Sequence, residues 1–205
     1  MGDPTKRHDG RVGNELRPFA CEQGALFRAD GSARMSHGSS TVLVAVYGPG
    51  QAKSRRNEQI DRATLDVCFK LEKGVLTSKE KEYEQLIRRT FEPLIVTDDY
   101  PRAVISIVVQ VIEDNGSLLS VAINATSLAL MDAGVPMLSV VTSSTCALLP
   151  DGSLFLDPSL TEEEQSTSLI TTASSSTSSG GVLTSVTSGL MSEEQYFAAS
   201  EASQR

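Results

Sequence analysis

The side chains able to do chemistry fall into two groups of opposite sign. Up to Arg102 the chain has 17 bases against 15 acids, a net of +2. Residues 103–205 have one base against 11 acids, a net of −10, and the whole chain carries −8. Contacts to a nucleic-acid backbone need only positive charge and N–H donors. Lys53, Arg55, Arg56, Lys73, Lys81, Arg88 and Arg89 could supply them, and any one of these residues also serves as plain solubility charge. Aromatic residues are 5% of the chain, with no Trp, which argues against extensive base stacking. Glu162, Glu163 and Glu164 form an acidic run, a natural solvated helix start with favourable dipole interaction.

Other chemistries are poorly supplied. Cys21, Cys68 and Cys146 are far apart and odd in number, so a disulfide framework is not expected. The only histidines are His8 and His37, too few to complete a zinc site with about four clustered ligands. There is no GxxxxGK[ST], no GxGxxG after a strand and no HExxH. The polar stretch Met1–Arg17 lacks an apolar signal core, and no apolar run reaches the roughly 18 residues of a membrane span. A reducing compartment and no membrane partner are expected.

The elements that must hold these groups follow from apolar periodicity. Thr41–Tyr47 is a β-branched run ended by Gly-Pro-Gly, and Ala63–Phe69 alternates. Both read as strands, and Asp30-Gly31 reads as a hairpin turn. Ser78–Ile95 is expected to be a helix with Tyr83, Leu86, Ile87, Phe91 and Leu94 on one stripe, ended or kinked by Pro93. Ala103–Ile112 reads as a strand. Leu118–Ala133 reads as a helix apolar around its girth, stopped by Gly134. Val135–Leu149 and Leu154–Leu156 return to strand character. From Ser166 to Ser188, 15 of 23 residues are Ser or Thr, read as a hairpin with a disordered tip over 174–181. Ser192–Ser203 closes the chain as a capped acidic helix. The order implies one α+β domain over 16–205, with 1–15 as a flexible lead-in.

Specific words carry more. Leu16-Arg17-Pro18, Arg28–Ala33, Gly38–Pro49, Glu82–Arg89, Asp114–Ala125, Asp132–Met137 and Leu154–Pro158 resemble, in content and spacing, the signature of the RNase PH family. The resemblance covers about residues 16–190. It implies an α+β fold related to the second domain of ribosomal protein S5, with mixed sheets packed against helices. It also implies pairing into dimers, six-membered rings that thread RNA, and removal of 3′ nucleotides by inorganic phosphate in active members. Ala20–Gln23 and Gly116–Leu119 are similar to the eukaryotic branch that builds the RNA exosome ring. That branch implies other RNase PH-like exosome subunits and RNA as partners, with DNA left open. It further implies self-pairing when isolated, and residence in nucleus, nucleolus and cytoplasm.

The resemblance also assigns a site. Phosphate held beside a scissile phosphodiester needs cationic and N–H donors. Lys79 stands where the family has an arginine, keeping the charge without the fork. Gly116 and Ser117 keep the loop and helix start that hold an anion, but the arginine that follows is replaced by Leu118. Of the family's two acids six residues apart, the first falls at Glu163 and the second at Leu169, with Glu162 and Asp157 as neighbouring candidates. Two readings follow. One is a ring subunit that has lost phosphorolysis and contributes assembly and RNA contacts to rRNA processing and RNA degradation. The other is a weak 3′–5′ exonuclease, either phosphate-dependent or hydrolytic with Mg²⁺.

Overall fold

The structure is a computed structural model that describes residues 7, 9–51, 59–72, 78–176 and 181–204. Strands β1 (Phe19–Gln23), β2 (Gly31–His37), β3 (Ser40–Gln51), β4 (Thr64–Lys70) and β5 (Ala103–Glu113) form one sheet in the order β1-β2-β3-β5-β4. Only β4 and β5 run parallel. Helix α1 (Ser78–Phe91) is the crossover between them. Strands β6 (Val141–Leu148), β7 (Leu154–Leu156), β8 (Ser168–Ser175) and β9 (Val182–Gly189) form an antiparallel sheet in the order β7-β6-β8-β9. Helices α2 (Leu118–Asp132), α3 (Leu160–Gln165) and α4 (Glu193–Gln204) complete the order. The α+β class and mixed sheets expected from sequence are present.

The nearly all-apolar α2 lies between the two sheets, touching β2 and β3 on one side and β6 and β8 on the other. Val121, Ala122, Ile123, Ala125, Ala129 and Leu130 are buried around its circumference, which explains why it shows no polar face. Helix α1 packs on β4 and meets β9, where Thr90 Oγ1 and Thr184 Oγ1 lie 2.8 Å apart. Among the described residues no helix is long and apolar enough to cross a membrane.

Three details differ from expectation. The hairpin turn is Gly38-Ser39, between the paired His37 and Ser40, not Asp30-Gly31. Gly31 opens β2 and is required by packing, because a Cβ there would fall 2.2 Å from the Ala133 backbone nitrogen. Helix α1 ends at Phe91, two residues before Pro93, since the residue preceding a proline is pushed out of the helical region. Finally, the described residues before β1 are docked: Arg7 is buried, with its guanidinium 4.7 Å above the Phe155 ring and donating to the carbonyls of Gly13 and Leu156. Within the Ser/Thr-rich stretch, β8 and β9 form the expected hairpin, and residues 177–180 of its tip lie outside the described residues.

Candidate functional site

The loop from β5 into α2, residues 114–117, is built from several directions. Ser40 Oγ accepts from Asn115 N–H at 3.0 Å and donates to the Gly116 carbonyl at 2.8 Å. Arg17 donates to the Asn115 carbonyl at 2.8 Å and to the Gly116 carbonyl at 3.2 Å. Gly116 has φ +89°, and a Cβ there would sit 2.6 Å from the Pro158 carbonyl oxygen, so only glycine fits. Ser117 precedes α2 with φ 55°, and its hydroxyl donates to the Pro158 carbonyl at 3.0 Å. The loop is therefore clamped against residues 158–160, just before α3.

That contact decides what the start of α2 holds. The Ser117 N–H donates to Glu163 Oε1 at 2.6 Å. A helix N-terminus favours an anion, and here the chain's own carboxylate takes that place. Burial pushes the Glu163 carboxyl up, with the nearby Asp114 charge adding to the rise and the Ser117 hydrogen bond opposing it.

Around this contact opens a pocket of about 360 Å³. Its lining includes Lys79, Glu82, Tyr83, Asp114, Ser117 and Glu163 together with the aliphatic Leu118, Leu160, Leu169 and Val186. The structure thus brings together Lys79, Ser117 and Glu163, three of the residues the sequence singles out, with Gly116 buried behind them. Leu118 and Leu169 line the same pocket. Tyr83 and Asp114 were not legible as pocket residues. Tyr83 sits on the expected apolar stripe and packs edge-on against Phe69, yet it also faces the cavity. Burial raises its hydroxyl pKa, and the Glu163 and Asp114 charges add to the rise.

Asp157 and Glu162 lie elsewhere. Asp157 is buried and accepts from Arg17 through three donors: the backbone N–H at 3.0 Å, Nε at 2.8 Å and Nη2 at 2.6 Å. His37 Nδ1 stands 3.7 Å away. Burial works against its charge, but the Arg17 bonds win and hold its carboxyl well below the ordinary range. Glu162 Oε2 accepts from the Ser159 N–H at 2.9 Å, and its carboxylate lies 3.8 Å from both Arg7 and Arg11. Both acids are consumed in fastening the segment before β1 to α3, and neither lines the pocket.

Lys81, Arg88 and Arg89 are exposed on α1, and Arg88 lies 3.7 Å from Asp66 at the surface. Lys53, Arg55, Arg56 and Lys73 lie outside the described residues. Among the described residues no three His, Cys, Asp or Glu side chains are placed to hold a metal ion together.

Two-sheet architecture, the clamped loop before α2 and the pocket at its start together match a known family. The chain belongs to the 3′ exoribonuclease (RNase PH) family: residues 15–136 match its domain 1 and residues 139–205 its domain 2. It is 43% identical over 157 residues to the exosome complex exonuclease RRP46 homolog of Arabidopsis thaliana, covering 77% of this chain and 65% of that protein. It is 39% identical over 210 residues to the RRP46 homolog of Oryza sativa subsp. japonica, covering 95% and 88%. The crystal structure of rice Rrp46 superposes with a TM-score of 0.89 at 38% identity, over 96% of this chain and 92% of that one.

Proposed function

We propose that the chain is a subunit of an RNA exosome core ring that supports assembly and binds RNA during 3′–5′ processing, rRNA included, without phosphorolysis of its own. The observation that carries this reading is the pocket wall. Leu118 and Leu169 stand where the family resemblance places a guanidinium and an acid, and the Ser117 N–H is taken by Glu163. Family members use phosphate as co-substrate. Binding it needs converging cationic donors, and this pocket offers Lys79 against Glu82, Asp114 and Glu163.

RNA contact falls to Lys81, Arg88 and Arg89 on α1, joined by Lys53, Arg55, Arg56 and Lys73. The partner contact falls to the opposite edge. Strand β1 is exposed throughout, Phe27 is fully exposed, and an apolar groove of about 320 Å³ runs past Leu16, Phe19, Met35, Met131 and Val140. Another RNase PH-like subunit covers this face in the ring, and a second copy covers it when the chain is alone. Ring function places the protein in nucleus, nucleolus and cytoplasm. The test is a gel-shift titration of a 3′-single-stranded RNA by wild type and by an Arg88→Glu/Arg89→Glu variant. The variant should bind more weakly and lower the salt slope by about one per lost phosphate contact. Unchanged binding would remove α1 from the interface.

A second reading is favoured by the convergence of Lys79, Ser117 and Glu163 in one pocket. It is a weak exonuclease acting on RNA, or on DNA. Nucleoside diphosphate products would mark phosphorolysis and monophosphates would mark hydrolysis.

A further inference from the structure

The chain contains one Asn-Gly pair, Asn115-Gly116, and it lies in the loop before α2. Asparagine followed by glycine is open to self-modification, because the glycine has no Cβ to shield its backbone nitrogen from the asparagine side chain. Here the glycine cannot be exchanged. A Cβ at position 116 would meet the Pro158 carbonyl oxygen at 2.6 Å, and φ is +89°. The close packing that dictates Gly116 therefore also keeps a reactive pair in the chain.

The folded loop holds that reaction back. Attack requires the planar Asn115–Gly116 peptide to rotate until the Gly116 nitrogen faces the Asn115 side-chain carbon. Hydrogen bonds fix the backbone on both sides of it. The Asn115 N–H donates to Ser40 Oγ at 3.0 Å, and the Asn115 carbonyl accepts from Arg17 at 2.8 Å and from the Leu160 N–H at 3.2 Å. The Gly116 carbonyl accepts from Ser40 Oγ at 2.8 Å and from Arg17 at 3.2 Å. The attacking nitrogen is engaged as well, donating to Asp114 Oδ1 at 3.2 Å. Ser40 and Arg17 are buried, so water does not compete for this clamp. The Asn115 side-chain amide takes no part in it.

We infer that Asn115-Gly116 is a self-modification site gated by the Ser40–Arg17 clamp: the closed loop spares it, and an opened loop converts Asn115 to aspartate and isoaspartate. The Gly116 nitrogen gives up its proton and bonds to Asn115 Cγ. The Cγ–Nδ2 bond breaks, and Nδ2 leaves as ammonia with that proton. The resulting succinimide takes up water. Opening at Cγ gives aspartate, and opening at the backbone carbonyl carbon gives isoaspartate, whose main chain runs through Cβ and Cγ. Either product adds a carboxylate beside Asp114. Isoaspartate also lengthens the main chain by a methylene, so the Ser40, Arg17 and Leu160 contacts can no longer all be met. The step is one-way: once modified in this form, the loop does not reclose on residues 158–160.

The test ages full-length protein in mildly alkaline buffer, native and in urea. Residue 115 is followed by peptide mass spectrometry and by enzymatic methylation of isoaspartate. Native wild type should convert at least about tenfold more slowly than the urea-unfolded chain, a factor equivalent to about 1.4 kcal/mol. Ser40→Ala removes both contacts of the hydroxyl and, folded by circular dichroism, should convert about tenfold faster than native wild type. Asn115→Gln, which would have to close a larger ring, should abolish the product. Should Ser40→Ala unfold, wild type at sub-denaturing urea supplies the comparison: conversion should rise in step with hydrogen exchange at the Asn115 and Gly116 amides. Equal rates for native and unfolded wild type would overturn the inference. So would a folded Ser40→Ala that ages no faster, or conversion independent of amide exchange. Wild-type amide protection in purified isoaspartyl protein would overturn the one-way step.

Discussion

Asp157 shows what a buried guanidinium does to a carboxylate. It lies in a sequence word shared with the family, but three donors of Arg17 and near-complete burial make it a fastening. Asp157→Asn leaves the Arg17 guanidinium buried without its counter-charge, a loss of about 3–5 kcal/mol. For a chain of this size that is roughly a 6–20 °C fall in melting temperature by calorimetry. The fold favours the ionised form, so the contribution is complete above the ordinary carboxylate range and is lost as pH falls below about 4. Denaturant midpoints of wild type and variant should therefore converge below that pH. Glu163 has the opposite sign. Burial raises its folded pKa, so wild-type stability falls as pH climbs through the window just above the ordinary value of 4.5. Glu163→Gln keeps an acceptor for the Ser117 N–H and should flatten that segment of the stability curve. Lys79, Ser117 and Glu163 were legible because family words mark them. The fates of Asp157 and Glu162 were not, because Arg17 meets Asp157 across 140 residues and Arg7 reaches the Phe155 ring from the far end of the chain.

At the scale of elements, periodicity was a sound guide where one force dominates. The stripe of α1, the all-round burial of α2 and the β-branched strands each report their surroundings directly. Asp30-Gly31 carries a strong local turn signal, whereas Gly31 opens β2 and is glycine for a nonlocal reason, the close approach of Ala133. The edge of the first sheet is managed in a way no local pattern reveals. Among the described residues strand β4 pairs only with β5, and on its free side Phe69 N–H donates to Glu84 Oε1 and, just past its end, Leu71 N–H to Glu80 Oε1, both at 3.0 Å. Helix α1 thus caps a strand edge that would otherwise be open to pairing. Glu84→Ala should cost about 1–2 kcal/mol through the orphaned Phe69 N–H. It should also raise aggregation on heating, checked by urea unfolding and by light scattering through a thermal ramp.

The whole molecule divides its labour by charge and by polarity. Cations gather in the first half, acids dominate the second, and an apolar face remains along β1 and the groove beside it. Isolated protein at micromolar concentration should scatter as a dimer. Phe19→Asp, placing a charge at an exposed position on that edge, should return it to a monomer with its fold intact by circular dichroism. A wild-type monomer would contradict the assignment of this face. The central claim, a family member that holds RNA but has lost phosphorolysis, is tested most directly by one cleavage assay. Purified protein is incubated with a 3′-single-stranded RNA under phosphate alone, magnesium alone, both and neither, and the products are identified. The account predicts intact RNA in all four conditions, with binding still detectable. Release of nucleoside diphosphates would show that Lys79 and the Ser117 loop still hold phosphate for attack, and would contradict it.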